Sequence, residues 1–257
     1  MGKLIGIELY KLFRSRKPYV FAAIMVVILL LNFSGYSPGD PMYAWTFRHG
    51  QSAPLNTLDL LTQFMMIFIP IVLGDSVTNE HRRGMLKLPL LRPVRRSVLL
   101  GAKFASLLVF IVLMAAFYVG AAYAIGSHFL GWGDGTEYAG RVVPASEGIR
   151  LTLAAAGLLV LPYAAYGLFA GAVAVLVGRM SVAVIVSLVA AAIASNLNAI
   201  EAFAPWSLVD QMVSYHEAII ADPDPDLALR RTGVIALYAA VFGLIAFGVF
   251  RKKDILH

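Results

Sequence analysis

Titratable residues are few in this 257-residue chain, and their spacing completes no catalytic set. There is no cysteine, so a disulfide framework, a thiolate zinc site, a cysteine nucleophile and an iron–sulfur cluster are all excluded. The five histidines, His49, His81, His128, His216 and His257, lie outside the apolar blocks with no i, i+3 or i, i+4 pairing, and are expected at the surface rather than on a metal. His216-Glu217 opens like a zinc-protease helix, but Ala218-Ile219-Ile220 follows and the second histidine is missing. No G-x-S-x-G and no paired aspartates occur within the apolar blocks. Nor is there a G-x-x-x-x-G-K-[ST] loop, whose backbone donors and lysine would cradle ATP. The chain therefore reads as neither an enzyme nor a cofactor binder, and any ATP it depends on belongs to another chain. Met65 and Met66 read as packing.

The remaining chemistry is charge. Between Asp75 and Lys103, Asp75 and Glu80 precede Arg82, Arg83 and Lys87, the order that complements a helix dipole, and Glu80 can pair with Arg83 at i+3. This predicts a short helix over Ser76 to Leu88, ended by Pro89 and Pro93. Within apolar stretches, Asp59, Gln63, Met66 and Pro70 share one helical face, and Ser187, Ala191, Ala194, Ser195 and Asn198 form a small, polar stripe. Such stripes line a substrate path or serve as contacts between helices, as Gly167-x-x-x-Gly171 does by its spacing.

The elements that hold these residues are read from the solvent they need. With 60% hydrophobic and 14% charged residues, and the apolar ones in unbroken blocks, that solvent is lipid. The blocks run Pro18 to Phe33, Leu55 to Leu73, Phe104 to Ile125, Leu151 to Val177, Val182 to Ile200 and Gly233 to Phe250. They predict one membrane domain over residues 1–257, with spans at about 18–36, 55–74, 102–126, 151–177, 182–200 and 232–250. Sixteen of the 21 Lys and Arg residues, Arg179 among them, lie at the termini or in alternate connections. The other connections hold Arg48, Arg141, Arg150, Arg230 and Arg231 and most of the acids, so both termini are expected in the cytoplasm. The bases thus set topology and do not mark a nucleic-acid surface. No small-x-small cleavage site follows Phe33, so the first span is expected to be retained.

Three further segments stand out. From Leu4 to Phe13, Ile5, Leu9, Leu12 and Phe13 recur at helical spacing with Lys3, Glu8, Lys11, Arg14 and Lys17 mostly elsewhere, giving an interfacial amphipathic helix over 1–17. Residues 201–231 read as an extracellular surface or re-entrant segment, with Trp206, Val209, Val213 and Ile220 on one helical face and Asp210, Gln211, Ser214 and Glu217 on another. Asp222-Pro223-Asp224-Pro225-Asp226 is a turn. Ion-coupled transport would leave an ionisable group near the bilayer midplane, and none falls there; Asp59 and Lys103 lie near span ends, where snorkelling relieves their cost.

Residues Asp75-Ser76-Val77-Thr78-Asn79-Glu80-His81-Arg82-Arg83-Gly84-Met85-Leu86-Lys87, Leu91-Arg92-Pro93-Val94-Arg95-Arg96 and Leu100-Gly101-Ala102-Lys103 resemble the ABC type-2 permease family. Glu8-Leu9-Tyr10-Lys11-Leu12 and Phe250-Arg251-Lys252-Lys253-Asp254-Ile255 resemble that family's termini. The resemblance implies an all-α membrane protein of six transmembrane helices with an N-terminal connecting helix, a cytoplasmic coupling helix within 75–100 and short extracellular helices. It implies that Asp75, Asn79, Glu80, His81, Arg82, Arg83, Gly84 and Lys87 meet a separate ABC ATPase carrying the ATP and magnesium. A second permease subunit, identical or not, completes the unit, and lipid surrounds it. Met85, where threonine is common, and Pro89, within a usually leucine-rich run, depart from the pattern and imply a shorter coupling helix. The expected function is export of a hydrophobic or amphipathic substrate, a drug, antibiotic, peptide or lipid, across a bacterial cytoplasmic membrane. The rival is a membrane scaffold or signalling subunit that recruits a partner while nothing crosses.

Overall fold

A computed structural model describes residues 2–35, 49–79, 96–138, 140–221 and 224–252. Helix α1, Gly2–Arg14, precedes six helices long and apolar enough to cross a membrane. These are α2 (Lys17–Ser34), α4 (Leu58–Gly74), α5 (Arg96–Leu130), α6 (Ala145–Val177), α7 (Met180–Leu197) and α9 (Pro225–Lys252), hereafter spans 1 to 6. The short α3 (Ala53–Asn56) and α8 (Leu208–Ile220) lie between spans 1 and 2 and between spans 5 and 6. The chain is a multi-pass membrane protein. Alternate connections define a basic face, bearing α1 and the end of span 6, and an acidic face opposite.

Spans 3 and 4 outrun the apolar blocks. At 1.5 Å per residue the 35 residues of α5 reach about 52 Å, well beyond the roughly 30 Å hydrocarbon core. No proline interrupts α5, so the helix carries on through polar residues at both ends. Span 4 runs 33 residues despite Pro162 and stops where Gly178, at φ 69°, takes the left-handed conformation and donates its N–H to Ala174 O. Asp224, just before span 6, accepts the Asp226 N–H on its carboxylate at 3.0 Å; Asp222 and Pro223 of the expected aspartate-proline turn lie outside the described residues.

The expected separate helix from Ser76 needs correction in its first residues. Asp75–Asn79 form a π-helical turn continuous with span 2, since Asp75 after Gly74 keeps right-handed helical geometry and Thr78 Oγ1 donates back to Gly74 O. The rest of that helix, including Glu80, His81, Arg82, Arg83, Gly84 and Lys87, lies outside the described residues.

Spans 2, 3 and 4 form the core; half or more of the most apolar 18-residue stretch of each is buried, against less than a fifth in spans 5 and 6. Phe21 of span 1 stacks on Phe68 of span 2 with ring centroids 4.0 Å apart. Three tyrosines are almost wholly buried, and each spends its hydroxyl on a neighbouring helix. Tyr118 donates to Thr57 O at 2.6 Å, and Tyr166 lies 3.2 Å from Met66 O and 3.3 Å from Ser187 O. Tyr163 sits 2.8 Å from Thr62 Oγ1, which donates to Met212 O at 2.8 Å.

The acidic face is closed by a compact lid with one strand pair not expected from the sequence. Strands β1 (Gly135–Tyr138) and β2 (Arg141–Pro144) pair antiparallel, Gly135 opposite Pro144 and Tyr138 opposite Arg141. Four residues a side is too short for a period-2 pattern to stand out. The lid is pinned by Ser52 Oγ accepting the Glu137 N–H at 2.8 Å, Asn56 Nδ2 donating to Glu137 O at 3.1 Å and Gln51 Nε2 donating to Gly133 O at 2.6 Å.

Helix α8 also turns a different face inward than its pattern suggested. Val209 of the expected apolar face is buried and Glu217 of the polar face is exposed, but Leu208, Met212, Tyr215 and His216 are buried along with Gln211, while Trp206, just before the helix, is exposed. Gln211 can be buried because its Nε2 donates to Pro205 O at 3.0 Å, satisfying the amide.

Gly167 and Gly171 serve the close packing their spacing suggested. A Cβ at Gly167 would lie 2.6 Å from Leu107 Cδ2, and one at Gly171 would lie 2.5 Å from Phe104 Cζ. Gly167→Val should therefore force spans 3 and 4 apart and cost about 1–3 kcal/mol. Thermal denaturation in detergent checks this; an unchanged midpoint would remove the glycines from the packing account.

Candidate functional site

On the basic face three segments meet at one buried ammonium. Lys103, one or two turns into span 3, is 2% exposed and Glu8 of α1 is 6% exposed. Lys103 Nζ donates to Glu8 Oε2 at 3.1 Å, to Ser76 O at 2.8 Å and to Ser76 Oγ at 3.2 Å. Glu8 also takes Lys11 Nζ on Oε1 at 3.0 Å, and Ser76 Oγ lies 3.5 Å from its Oε2. Beside this cluster Asp75 pairs with Lys17, which opens span 1.

Two expectations are thereby corrected. Lys103 does not snorkel to water, because a partner carboxylate and a carbonyl reach it inside the protein. Glu8 does not lie on the solvent side of α1; it faces span 3, while Ile7 and Tyr10 are exposed. The residue pattern held this: Ile5, Glu8 and Leu12 are spaced i, i+3, i+7, so Glu8 sits in the apolar stripe itself. A lone acid in that stripe and a lone lysine in Leu99-Leu100-Gly101-Ala102-Lys103-Phe104 were the readable signal. Taking two charges out of water is costly, and three donor–acceptor contacts with defined geometry are what make the burial tolerable.

The consequence is mechanical. Ser76 begins the segment of residues 76–102 and Lys103 follows it, so one ammonium ties its two ends together and to α1. Of the residues expected to meet an ATPase, Asp75 and Asn79 fall on the π-turn at this joint. The rest lie outside the described residues. π-Turns recur at functional sites because their extra residue re-aims the chain.

The path residues are brought together in part. Met66 and Ser187 meet at the Tyr166 hydroxyl through their carbonyls, joining spans 2, 4 and 5. Ser187 is buried, Asp59 and Gln63 are exposed one turn apart on span 2, and Ser195 is exposed with its hydroxyl donating to Ala191 O. Asn198, at the end of span 5, is half-buried. At the basic end spans 2 and 5 close up, since a Cβ on Gly74 would lie 3.3 Å from Met180 Cγ.

At the acidic end α8 rests on the Tyr163–Thr62–Met212 chain and is held from span 6. Arg231 donates to Ser214 Oγ at 2.5 Å and pairs with Asp210 at 3.4 Å, and Tyr215 meets Thr232 at 2.8 Å. His216, expected at the surface, is 3% exposed because its side of α8 packs inward. Burial lowers its pKa to about 4, opposed by a backbone hydrogen bond to Val213. Burial and the nearby Asp59 raise the Glu217 carboxyl, and Arg231 pulls it back down.

Two outcomes follow. Lys103→Met should leave Glu8 buried without its main partner and cost about 3–5 kcal/mol, whereas Glu8→Met with Lys103→Met should recover most of that. Denaturation of both variants in one detergent checks this, and equal losses would deny the pairing. His216 binds its proton more weakly folded than unfolded, so its contribution is intact above about pH 6.5 and declines as pH falls toward 4, by roughly 3 kcal/mol in all. Hydrogen exchange of α8 should show protection falling over that window and flattening in His216→Asn; Glu217→Gln should steepen the fall, since it removes a group that gains on protonation. A pH-independent α8 would contradict the buried imidazole.

No curated protein matches the chain. The profile of one family, DUF2705, described as a protein of unknown function, matches residues 20–256 and so all six spans. The chain belongs to the DUF2705 family.

Proposed function

We propose that this chain is the membrane-spanning permease subunit of an ATP-driven exporter whose ATPase is a separate polypeptide. The observation that carries the reading is the Lys103 ammonium, which holds Ser76 and Glu8 at once. A segment whose ends are tied to each other and to an amphipathic helix is suited to take a push from a docked protein and deliver it to spans 2 and 3 as one movement. Spans 2 and 3 lie in the core, so that movement reaches spans 4 and 5 through Tyr166 and α8 through Thr62.

In this reading the basic face is cytoplasmic, both termini lie inside a bacterial cytoplasmic membrane, and Glu80 to Lys87 dock on the ATPase. The ATPase supplies the phosphate loop, ATP and magnesium that this sequence lacks. A second permease subunit would cover the face of span 2 that exposes Gln63, a polar amide inside the span. A mostly apolar route with a few polar anchors suits a hydrophobic or amphipathic substrate.

The test is reconstitution with the ATPase encoded beside this gene. Wild-type vesicles should move a hydrophobic probe when ATP is added. Glu80→Ala should abolish ATPase binding, and Lys103→Met should keep binding but lose movement. Binding without any flux in the wild type would favour the scaffold reading instead, and no binding of any adjacent ATPase would end the exporter reading.

A further inference from the structure

Beneath α8 a cavity of about 160 Å³ opens between spans 5 and 6, with span 4 as its floor. Phe169 and Tyr166 form the floor, Ala191 and Ala194 one wall, Tyr238 and Phe242 the other, and Leu208 of α8 the roof. The aromatic wall is ordered: Phe169 and Phe242 meet edge to face at 5.0 Å, and Tyr238 stacks on Phe242 at 6.0 Å. We propose that this cavity is a lipid site, occupied by the acyl chain of a phospholipid from the leaflet next to the acidic face.

The lining decides against water. The Tyr166 hydroxyl is committed to the Met66 and Ser187 carbonyls, and Ser207 Oγ, at the roof, takes the Asp210 N–H, so beyond the Tyr238 hydroxyl the side chains of the lining are hydrocarbon. A cavity holds water only where two to four polar partners remain for it, whereas an apolar cavity near 150 Å³ stays dry and takes a benzene-sized hydrocarbon. An empty one would forfeit the dispersion contacts of its whole wall. Size decides against a helix of a second copy, because a helix with its side chains is about 10–12 Å across.

Depth selects the leaflet. Ala191 and Ala194 lie within the last two turns of span 5 before the acidic face, and the roof is α8, which belongs to that face. Trp206, exposed beside the roof, and Arg230, exposed at the start of span 6, stand where an interfacial aromatic and a cation for a lipid phosphate are expected. The acyl chain would lie against Leu208, so α8 rests partly on lipid. The site requires only that the chain be embedded in a bilayer, and holds whether or not a substrate is moved.

The test uses the full chain in vesicles of phosphatidylethanolamine and phosphatidylglycerol containing a trace of phosphatidylglycerol with a diazirine near the end of one acyl chain. After irradiation, adducts mapped by mass spectrometry should concentrate on Phe169, Tyr238 and Phe242 over the lipid-facing residues of span 1, Val27 and Leu31. Ala194→Trp should fill the cavity and cut those adducts about tenfold, the equivalent of about 1.4 kcal/mol of lost binding, while span 1 labelling stays unchanged. Ala194→Leu, a milder filling, should give an intermediate loss and serves if the tryptophan variant does not fold. Groove labelling no denser than that of span 1, labelling absent because protein covers the groove, or labelling indifferent to Ala194 would each overturn the proposal.

Discussion

A single buried positive charge sets the architecture of the basic face. Lys103 can be withdrawn from water only because Glu8, Ser76 O and Ser76 Oγ converge on it. That requirement fixes where α1 lies, which of its faces turns inward and how span 2 ends. The π-turn at Asp75–Asn79 presents the Ser76 carbonyl and hydroxyl to the ammonium, and the neighbouring Lys17–Asp75 pair brings in span 1. A purely hydrophobic contact would hold α1 as firmly, yet would let it slide; a charge with three directional partners does not.

Toward the other end of the molecule, neutral hydrogen bonds spent between helices join the Arg231–Asp210 pair in organising the packing. In a membrane interior a tyrosine hydroxyl has no water to fall back on, so Tyr118, Tyr163 and Tyr166 each mark a place where two or more elements must stay in register. Thr62 is the relay, joining Tyr163 of span 4 to the Met212 carbonyl of α8. The lid is thus connected through spans 2 and 4 to the joint on the basic face, with the Gly167 and Gly171 contacts keeping span 3 close to span 4.

The six spans were legible because apolar block length is a strong signal in a chain whose solvent is lipid. Their ends were less so: spans 3, 4 and 6 extend past their blocks through residues that permit helix without demanding it. The hairpin at Gly135 to Pro144 gave too short a pattern to read. The inward face of α8 is only partly readable from residue type, because Gln211 and His216 are polar by type yet buried in place, satisfied or neutral. Glu8 and Lys103 were visible singly, but their pairing joins positions 95 residues apart, and no local pattern reports that. Glu80, Arg83 and Gly84 rest on family resemblance and residue pattern.

The account's central claim is that α1, the ends of the 76–102 segment and span 3 move as one body. The absence of cysteine allows labels to be placed by single substitutions in the otherwise native chain. The most direct measurement is double electron–electron resonance between spin labels at Tyr10→Cys and Leu108→Cys, both exposed, compared with Tyr10→Cys and Leu229→Cys across the membrane, in a complex with the proposed ATPase. The account predicts that ATP shifts the second distance and leaves the first unchanged and narrow. A first distance that shifts or broadens with ATP would show α1 and span 3 moving apart and would contradict it.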